Sequence, residues 1–410
     1  MSAQLPDRSS EHDRSEDGAT GPVTRSREPL ASLWADLTVV RKRGMGKVAR
    51  VKKSLPMYLP SPHPLGRDLQ IIDRERPGAG ADVVEYREVL PSRRVPAGAG
   101  ETIEVPALYA CSVDRGVMLT DGVLFHGILT DNNLLVSEVS ADHGRGGDWA
   151  SFKRLQRWPR MVRVGMGASL LTGGGGLSNY AHWLYDVLPR LHLLQRAGLT
   201  TADARYLVPP IDSEFKQTSL RRLGISPDDC IEVGGPVAIV GETIVASSGH
   251  RSHGRVEPWI PEFLRDALLR ESPRSGLRLY VNRRDTKIRK VLNEAVLESA
   301  LAERGFRSIS AADFDFQEKM DLYSSAEFIV APHGAGLANV AFCSPGTHVV
   351  EIDGDDWTDP WYGDVGLAMQ LHYTTVRAFR TVSPGWLPDI VRHLEVDVER
   401  VVNTVDEILT

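Results

Sequence analysis

A histidine and an aspartate four residues apart are the first candidates for chemistry. The segment NYAHWLYD contains His182 and Asp186, which share one face if the segment is helical. An imidazole oriented by a carboxylate can act as a general base. The same side chains can also bind a metal, but two ligands are too few to predict a metal site. A core helix with one hydrogen-bonded histidine is the structural alternative.

A second candidate is the glycine-rich segment HGAGLAN, which starts at His333 and follows the apolar run EFIVAP. Glycine lets the backbone approach a ligand closely, and free N–H groups at a helix start attract phosphate. The segment lacks both the G-x-G-x-x-G spacing of dinucleotide-binding folds and the Gly-Lys-Ser/Thr of a P-loop. It can therefore be a packed turn, a phosphate cradle or the site of a catalytic histidine.

A third candidate is the basic end of the run LYVNRRDTKIRK. Arg283 and Arg284 follow apolar residues, and guanidinium groups bind phosphates bidentately. Adjacent strand residues point to opposite faces, so at most one of the two arginines can face a given site. The run by itself is typical of a solvated surface. A basic strand end and a glycine-rich strand end in one sheet together favour an anion site.

A parallel sheet would bring these candidates together, and the sequence predicts one. From about residue 177, apolar runs alternate with helical patterns, which indicates an α/β fold. The segment LSNYAHWLYDVLPRLHLLQRAG has leucines at helical spacing, Ser178 or Asn179 as its cap and Pro189 as an expected kink. The glycines at 173–176 are expected to form a flexible loop. A break at 249–258 separates two series of strands and helices.

The remaining segments contain no chemical pattern of comparable clarity. Residues 1–30 are polar and are expected to be a disordered tail. Residues 41–53, RKRGMGKVARVKK, are either a solvated basic segment or a contact with an anionic membrane surface or acceptor. Residues 69–170 are predicted to form short strands separated by Gly, Pro and Asp turns.

Composition excludes several classes of protein. The chain has 410 residues, 42% hydrophobic and 25% charged, which is enough for two or three domains with a core. A net charge of -6 gives no basic field for nucleic acid. Three distant cysteines predict no disulfide scaffold or cysteine zinc site, and they are typical of a reducing cytoplasm. We expect neither a signal peptide nor a membrane span.

Three segments, in a fixed order, resemble a known enzyme family. They are NYAHWLYDVLPRL, LYVNRRD and FIVAPHGAGLANVAFCSPGTHVVEI, and the likeness covers about residues 165–355. This ordered set resembles the family 61 glycosyltransferases, which include bacterial capsular polysaccharide biosynthesis proteins. Plant xylosyl- and arabinosyltransferases and animal O-linked N-acetylglucosaminyltransferases also belong to that family.

The resemblance implies a GT-B-like fold, in which two Rossmann-like domains face each other across a cleft. Residues 31–250 would be the acceptor-side domain, with a strand-rich first part, and residues 251–385 the nucleotide-sugar-binding domain. The final helix, 386–410, is expected to pack back on the first domain. The resemblance also implies an inverting, metal-independent sugar transfer from a nucleotide-diphosphate sugar, typically a UDP-sugar, to a glycan or another hydroxyl acceptor.

The resemblance further assigns roles by position. The implied donor-binding residues are Arg283 or Arg284, His333, Gly334, Ala335, Gly336, Asn339 and Glu351. The arginine would hold the diphosphate, HGAG would offer backbone N–H groups, Asn339 would contact a phosphate or the sugar, and Glu351 a ribose hydroxyl. His182 or Asp186 would be the base, with His182 favoured because histidine titrates near neutral pH. No cofactor and no metal are implied, and the oligomeric state is not specified.

One departure from the family pattern supports a different function. Family members have a Phe-x-Glu-Gln pattern where this chain has FQEK, so Lys319 follows Glu318. A lysine can serve an anionic donor, but a direct amide contact is lost. The alternative function is a non-catalytic nucleotide- or carbohydrate-binding protein on the same fold. The location implied for the enzyme is a bacterial cytoplasm, at the inner face of the plasma membrane, in capsular or cell-surface polysaccharide biosynthesis.

Overall fold

The computed structural model describes residues 70–75, 81–96, 102–142, 159–172, 174–249, 255–270, 276–354, 359–381 and 392–410. The predicted tail, 1–30, and the basic segment, 41–53, lie outside these residues. The described part contains two large sheets and a two-stranded hairpin, with helices packed on the sheets. None of the described helices has the length and apolar character needed to cross a membrane.

The first sheet is mixed, with 11 strands among the described residues. Its main path has the order β1-β8-β7-β6-β13-β10-β11-β12, while β2, β5 and β9 pair beside it. Strands β13, β10, β11 and β12 are parallel, and the pairs made by β5, β6 and β7 are antiparallel. A Rossmann-like arrangement is therefore restricted to one side of this sheet. The strand bounds are β1 (Ile71–Ile72), β2 (Val84–Leu90), β5 (Leu108–Asp114), β6 (Val117–Thr120), β7 (Phe125–Leu129), β8 (Leu135–Val136), β9 (Ala141–Asp142), β10 (Arg160–Ser169), β11 (Arg205–Val208), β12 (Cys230–Glu232) and β13 (Val237–Ser247), and the separate hairpin is β3 (Arg93–Pro96) with β4 (Thr102–Val105).

Helix α1, residues 180–196, follows β10 and has three parts. These are Tyr180–His182, a π-helical turn at Trp183–Val187, and the segment Leu188–Arg196. The Asn179 side chain accepts two backbone N–H bonds and caps the first turn, as predicted. Pro189 has no N–H to donate, and the wider π turn before it accommodates this loss without ending the helix.

The second sheet has the order β15-β14-β16-β17-β18-β19. All pairs are parallel except β18 with β19. Its strands are β14 (Leu277–Asn282), β15 (Arg307–Ser310), β16 (Ala326–Pro332), β17 (His348–Gly354), β18 (His372–Arg380) and β19 (Leu394–Glu395). The remaining α-helices are α2 (Glu214–Arg222), α3 (Trp259–Leu268), α4 (Glu294–Ala302), α5 (Phe316–Ser325), α6 (Trp361–Ala368) and α7 (Val398–Leu409). The mixed α/β fold with parallel sheets is confirmed, whereas two domains facing across a cleft stay a prediction.

The main hydrophobic core is continuous across both sheets. It includes Trp183 and Leu188 of α1, Val245 of the first sheet, and Ile329 of the second sheet together with Tyr362 of α6. Burial of each such large side chain contributes about 1.5–3 kcal/mol. The break near residue 250 therefore separates two sheets in sequence, while this main core includes residues from both sides of the break and smaller cores lie within each half.

The closing helix packs on the second half of the chain. Val401 and Val405 of α7 enter the core under the second sheet, and the Arg304 guanidinium pairs with Asp406. The expectation that residues 386–410 return to the first domain is therefore wrong for the described part of this segment. The physical reason is the apolar stripe of α7, which is buried against α4.

Candidate active site

The carboxyl ends of three neighbouring parallel strands define one edge of the second sheet. Strand β14 ends at Asn282, β16 at Pro332 and β17 at Gly354. The basic segment and the HGAG segment start directly after the first two of these ends. Ligands of open α/β sheets bind at this edge, so the predicted juxtaposition of the two segments is present.

His182 and Asp186 form a hydrogen-bonded dyad on α1. His182 Nδ1 lies 2.7 Å from Asp186 Oδ2, and the two side chains are 25% and 13% exposed. One turn further along, the buried Arg190 donates from Nη1 to the carbonyl oxygen of Ser247 at 2.6 Å. Burial lowers the pKa of Arg190 to about 10, and the Asp186 charge opposes that shift. The predicted shared face is present, and a buried cation lies behind it.

His333 belongs to a second dyad, which the sequence did not predict. His333 Nδ1 lies 2.7 Å from Glu351 Oε1, and both side chains are almost fully buried. The His333 backbone N–H donates to Ile352 at 2.8 Å. Glu351 was predicted to bind a ribose hydroxyl, whereas in this structure its carboxylate is bonded to His333 inside the fold. The pairing depends on the register of β16 and β17, in which Ala331 faces Glu351.

Two adjacent aromatic residues of α6 lie between the dyads. The Trp361 ring centroid lies 5.5 Å from that of His182, and the Tyr362 centroid lies 5.2 Å from that of His333. Trp361 and Tyr362 stack on each other at 5.6 Å. Neither residue was predicted from the sequence; the available signal was the pair WY, which comes after the strand HVVEIDG. The two dyads are thus separated by one aromatic layer.

The structure separates the roles of the two adjacent arginines. The Arg283 guanidinium lies against Gly334, where a Cβ atom would overlap it. Arg284 points the other way, is 59% exposed, and pairs with Glu298 and with Glu294 at 3.6 Å. Arg283 is therefore the arginine that faces the HGAG segment, and both arginines follow the end of β14 at Asn282.

The Arg283 side chain has unmet hydrogen-bonding capacity. Its Nε is buried without a hydrogen-bond partner among the described residues, while Nη2 reaches the Ile288 carbonyl at a long 3.4 Å. Burial, and then the nearby charge of Arg289, lower the pKa of Arg283 to about 10. A buried guanidinium in this state is ready to bind an anion.

The HGAG segment leads into a 3₁₀ helix, Ala335–Phe342, in place of the predicted α-helix start. Gly334 is extended at its N-cap, and the first N–H groups of such a helix have no partner within it. The Gly336 carbonyl accepts from the Tyr323 hydroxyl at 2.8 Å. Gly334, Ala335 and Gly336 thus have backbone available at the edge where Arg283 lies.

Asn339 does not have the position expected of a donor ligand. It is fully buried, its Oδ1 accepts from the Tyr180 hydroxyl, and its Nδ2 donates to Gly336 at 3.1 Å. Its side chain is bonded inside the fold, and a contact with a phosphate or sugar stays a prediction. Asn339 instead connects the glycine-rich segment to the first turn of α1.

The FQEK departure has a local structural explanation. Asp315 and Glu318 form a capping box at the start of α5, with reciprocal bonds of 2.8 Å. Lys319 Nζ lies over the Tyr180 ring, 5.0 Å from its centroid, and burial lowers the pKa of Lys319. Lys319 therefore makes a cation–π contact with α1.

Possible metal ligands do not cluster in the described part of the chain. Within the described ranges, no group of three or more His, Cys, Asp or Glu side chains is arranged to hold a metal ion. Each dyad supplies one histidine and one carboxylate. Metal independence of the reaction stays a prediction.

Comparisons with known proteins agree with the resemblance. The family model described as Glycosyltransferase 61 matches residues 180–350. The EGF domain-specific O-linked N-acetylglucosamine transferase of Gallus gallus is 26% identical over 135 residues, 31% of this chain and 25% of that protein. The beta-1,2-xylosyltransferase XAX1 of Oryza sativa subsp. japonica is 36% identical over 128 residues, 27% of this chain and 22% of that protein. The matched region thus spans about a quarter of each relative.

A solved structure gives a looser match. The iron-containing dodecameric glycosyltransferase TibC from enterotoxigenic E. coli H10407 is 14% identical, with a TM-score of 0.33, over 78% of this chain and 100% of that chain. A superposition this loose supports no argument about the site. The family match, by contrast, includes His182, Asp186, Arg283 and His333. The comparison thus shows that residues 180–350 of this chain are similar to the glycosyltransferase 61 family.

Proposed function

We propose that this protein is an inverting glycosyltransferase that moves a sugar from a nucleotide-diphosphate sugar, first of all a UDP-sugar, to a hydroxyl of a glycan or another acceptor. One observation above all supports the proposal. A partly exposed His–Asp dyad contacts Trp361, the adjacent Tyr362 contacts His333, and a buried arginine lies against Gly334, the next residue.

The proposed base is His182. Its Nδ1 is bonded to Asp186, so the dyad assigns the proton of the neutral ring to Nδ1 and makes Nε2 the acceptor. In the transfer step the acceptor oxygen attacks the anomeric carbon while the bond from that carbon to the diphosphate oxygen breaks. The hydroxyl proton goes to Nε2, and Asp186 stabilises the imidazolium.

The proposed leaving-group site lies at the edge of the second sheet. Arg283 and the backbone N–H groups of Gly334, Ala335 and Gly336 would stabilise the charge that develops on the diphosphate. Inversion requires base and leaving group on opposite faces of the sugar ring. A GT-B-like arrangement, with the acceptor side formed by the first half of the chain, would meet that requirement and is part of this proposal.

The rival function is a binding protein that retains the fold without turnover. Lys319, which replaces the glutamine of the family pattern, is the observation that favours it. Because Lys319 contacts Tyr180 across the halves, it has a structural use that does not require loss of catalysis. A capsular or cell-surface role, a cytoplasmic location, and membrane contact through residues 41–53 remain predictions of the same proposal.

A donor screen tests the proposal. UDP-N-acetylglucosamine and UDP-xylose come first, because the relatives' names include an N-acetylglucosamine transferase and a xylosyltransferase. Mass detection of free sugar and UDP would report turnover, and calorimetric titration with UDP and NAD would report binding. Tight UDP binding without any sugar release across the donors would support the rival. Binding of NAD in preference to UDP would exclude both functions.

A further inference from the structure

Arg289 is a second buried guanidinium near the proposed donor site. It lies in the segment between β14 and α4, and its Nε is buried with no hydrogen-bond partner among the described residues, as for Arg283. Its backbone is left-handed, with φ of 52°, a conformation that is unfavourable for a residue with a Cβ atom. The fold therefore retains this conformation against a conformational cost.

The two guanidiniums lack the compensation that other arginines in this region have. Arg284 pairs with acidic side chains of α4, and Arg380 lies 3.4 Å from Asp353. Within the described residues neither Arg283 nor Arg289 forms an ion pair with a carboxylate. Burial lowers the pKa of both, and the Arg289 charge lowers that of Arg283 further.

The same neighbours place the pair of arginines beside the second dyad. Arg283 Nη2 lies 3.4 Å from the carbonyl oxygen of Ile288, the residue before Arg289, and the Tyr362 ring contacts His333, the neighbour of Gly334. Arg283 also lies against Gly334. Asp285 and Glu294 near Arg283, and Asp353 and Asp359 near Arg289, offset part of the cost of burying the two cations. Since no carboxylate of the described residues forms an ion pair with either guanidinium, an anion between the two would stabilise both.

We propose that Arg289 is a donor-binding residue, and that Arg283 and Arg289 each hold one phosphoryl group of a nucleoside diphosphate. This inference rests on the proposed function and adds to it the residue that holds the second phosphoryl group. Two guanidiniums match the two phosphoryl groups of UDP, since each can donate two N–H bonds to one phosphate. A nucleoside monophosphate would engage only one of them, so a sugar linked through a single phosphate is a poor donor here.

Titration of the full chain with UDP and UMP tests the inference. Wild-type protein is expected to bind UDP at least about tenfold more tightly than UMP, since charge-assisted bonds to a second phosphate are worth that much or more. Arg289→Gln is expected to weaken UDP binding about 10- to 100-fold and to change UMP binding far less. UDP and UMP should therefore bind to this variant with similar affinities.

Arg284→Gln is the matched control, because it removes an adjacent arginine that is exposed and paired with α4. It is expected to leave both affinities unchanged. The ligand-free Arg289→Gln protein should also melt no lower than wild type, because it loses a repelling buried charge. Unchanged UDP affinity in Arg289→Gln, or equal losses for UDP and UMP with a lower melting temperature, would overturn the role of Arg289. Failure of wild type to bind UDP at all would instead refute the proposed function.

Discussion

At the residue scale, exposure distinguishes the two histidine dyads. The His182 and Asp186 side chains are 25% and 13% exposed, whereas those of His333 and Glu351 are 5% and 3% exposed. A base must reach the acceptor hydroxyl, so the first dyad suits proton transfer. The second dyad suits the positioning of Tyr362 and the HGAG backbone on the donor side.

The close contact between Gly334 and Arg283 gives a prediction. In Gly334→Ala, the new Cβ overlaps the Arg283 guanidinium, which must swing away because it is the flexible end of a side chain. We expect UDP binding to weaken at least about tenfold, a loss of about 1.4 kcal/mol, with little change in melting temperature. Isothermal titration and thermal unfolding of the same preparations measure both quantities.

Gly165→Ala is the control for this change. A Cβ at Gly165 has no neighbouring atom within 4 Å, so the substitution should alter neither UDP binding nor stability. Normal UDP affinity in Gly334→Ala would show that the Arg283 position seen here is not needed for the donor.

At the element scale, local signals predicted helices and strand ends better than long-range pairs. The Asn179 cap and the different directions of the adjacent Arg283 and Arg284 side chains depend on residues close in sequence, and both were predictable. His333 and Glu351 are 18 residues apart, and their pairing depends on the register of β16 and β17. The position of Asn339 depends on its contact with Tyr180 of α1. Sequence spacing alone contains no information on either.

The attachment of α6 to the segment before α3 gives a second prediction. Asp364 of α6 accepts from Arg255 Nε at 2.8 Å and from the Val256 N–H at 3.1 Å, and it is 8% exposed. Asp364→Ala leaves the Arg255 guanidinium and a buried N–H without their acceptor. We expect a loss of about 3 kcal/mol in the free energy of unfolding, measured by urea denaturation.

Asp406→Ala is the control, because it removes the partner of Arg304 in an exposed ion pair at the surface of α7. Its effect on stability should be much smaller, since solvent screens such pairs. Equal losses in the two variants would contradict the view that the Asp364 contacts hold α6, and with it the aromatic pair, in place.

At the scale of the whole molecule, the shared core is the feature that the sequence analysis did not anticipate. The strands of the first sheet end at Ser247 and those of the second start at Leu277, while the predicted domain bounds stay a prediction. Which faces the strands and helices bury depends on tertiary packing, and α1, α3 and α6 all contribute to one core. The packing partner of α7 was not predicted for the same reason, since an apolar stripe shows which face of a helix is buried but not what it is buried against.

A common core predicts cooperative unfolding of the two sheets. In differential scanning calorimetry of the full chain, we expect one transition for both sheets, with van't Hoff and calorimetric enthalpies in agreement. Leu188→Ala in α1 should lower the free energy of unfolding by about 2–5 kcal/mol. The midpoint temperature of that single transition should therefore fall. Two resolved transitions, of which Leu188→Ala moves only one, would show that the halves fold independently.

We propose above that His182, oriented by Asp186, is the base in sugar transfer from a nucleotide-diphosphate sugar. The direct measurement is single-turnover UDP release from a donor found in the screen, for wild type, His182→Ala and Asp186→Asn, with UDP affinity measured in parallel. We predict at least about a 100-fold slower release in His182→Ala, with UDP affinity unchanged. Wild-type turnover in both variants would contradict the claim.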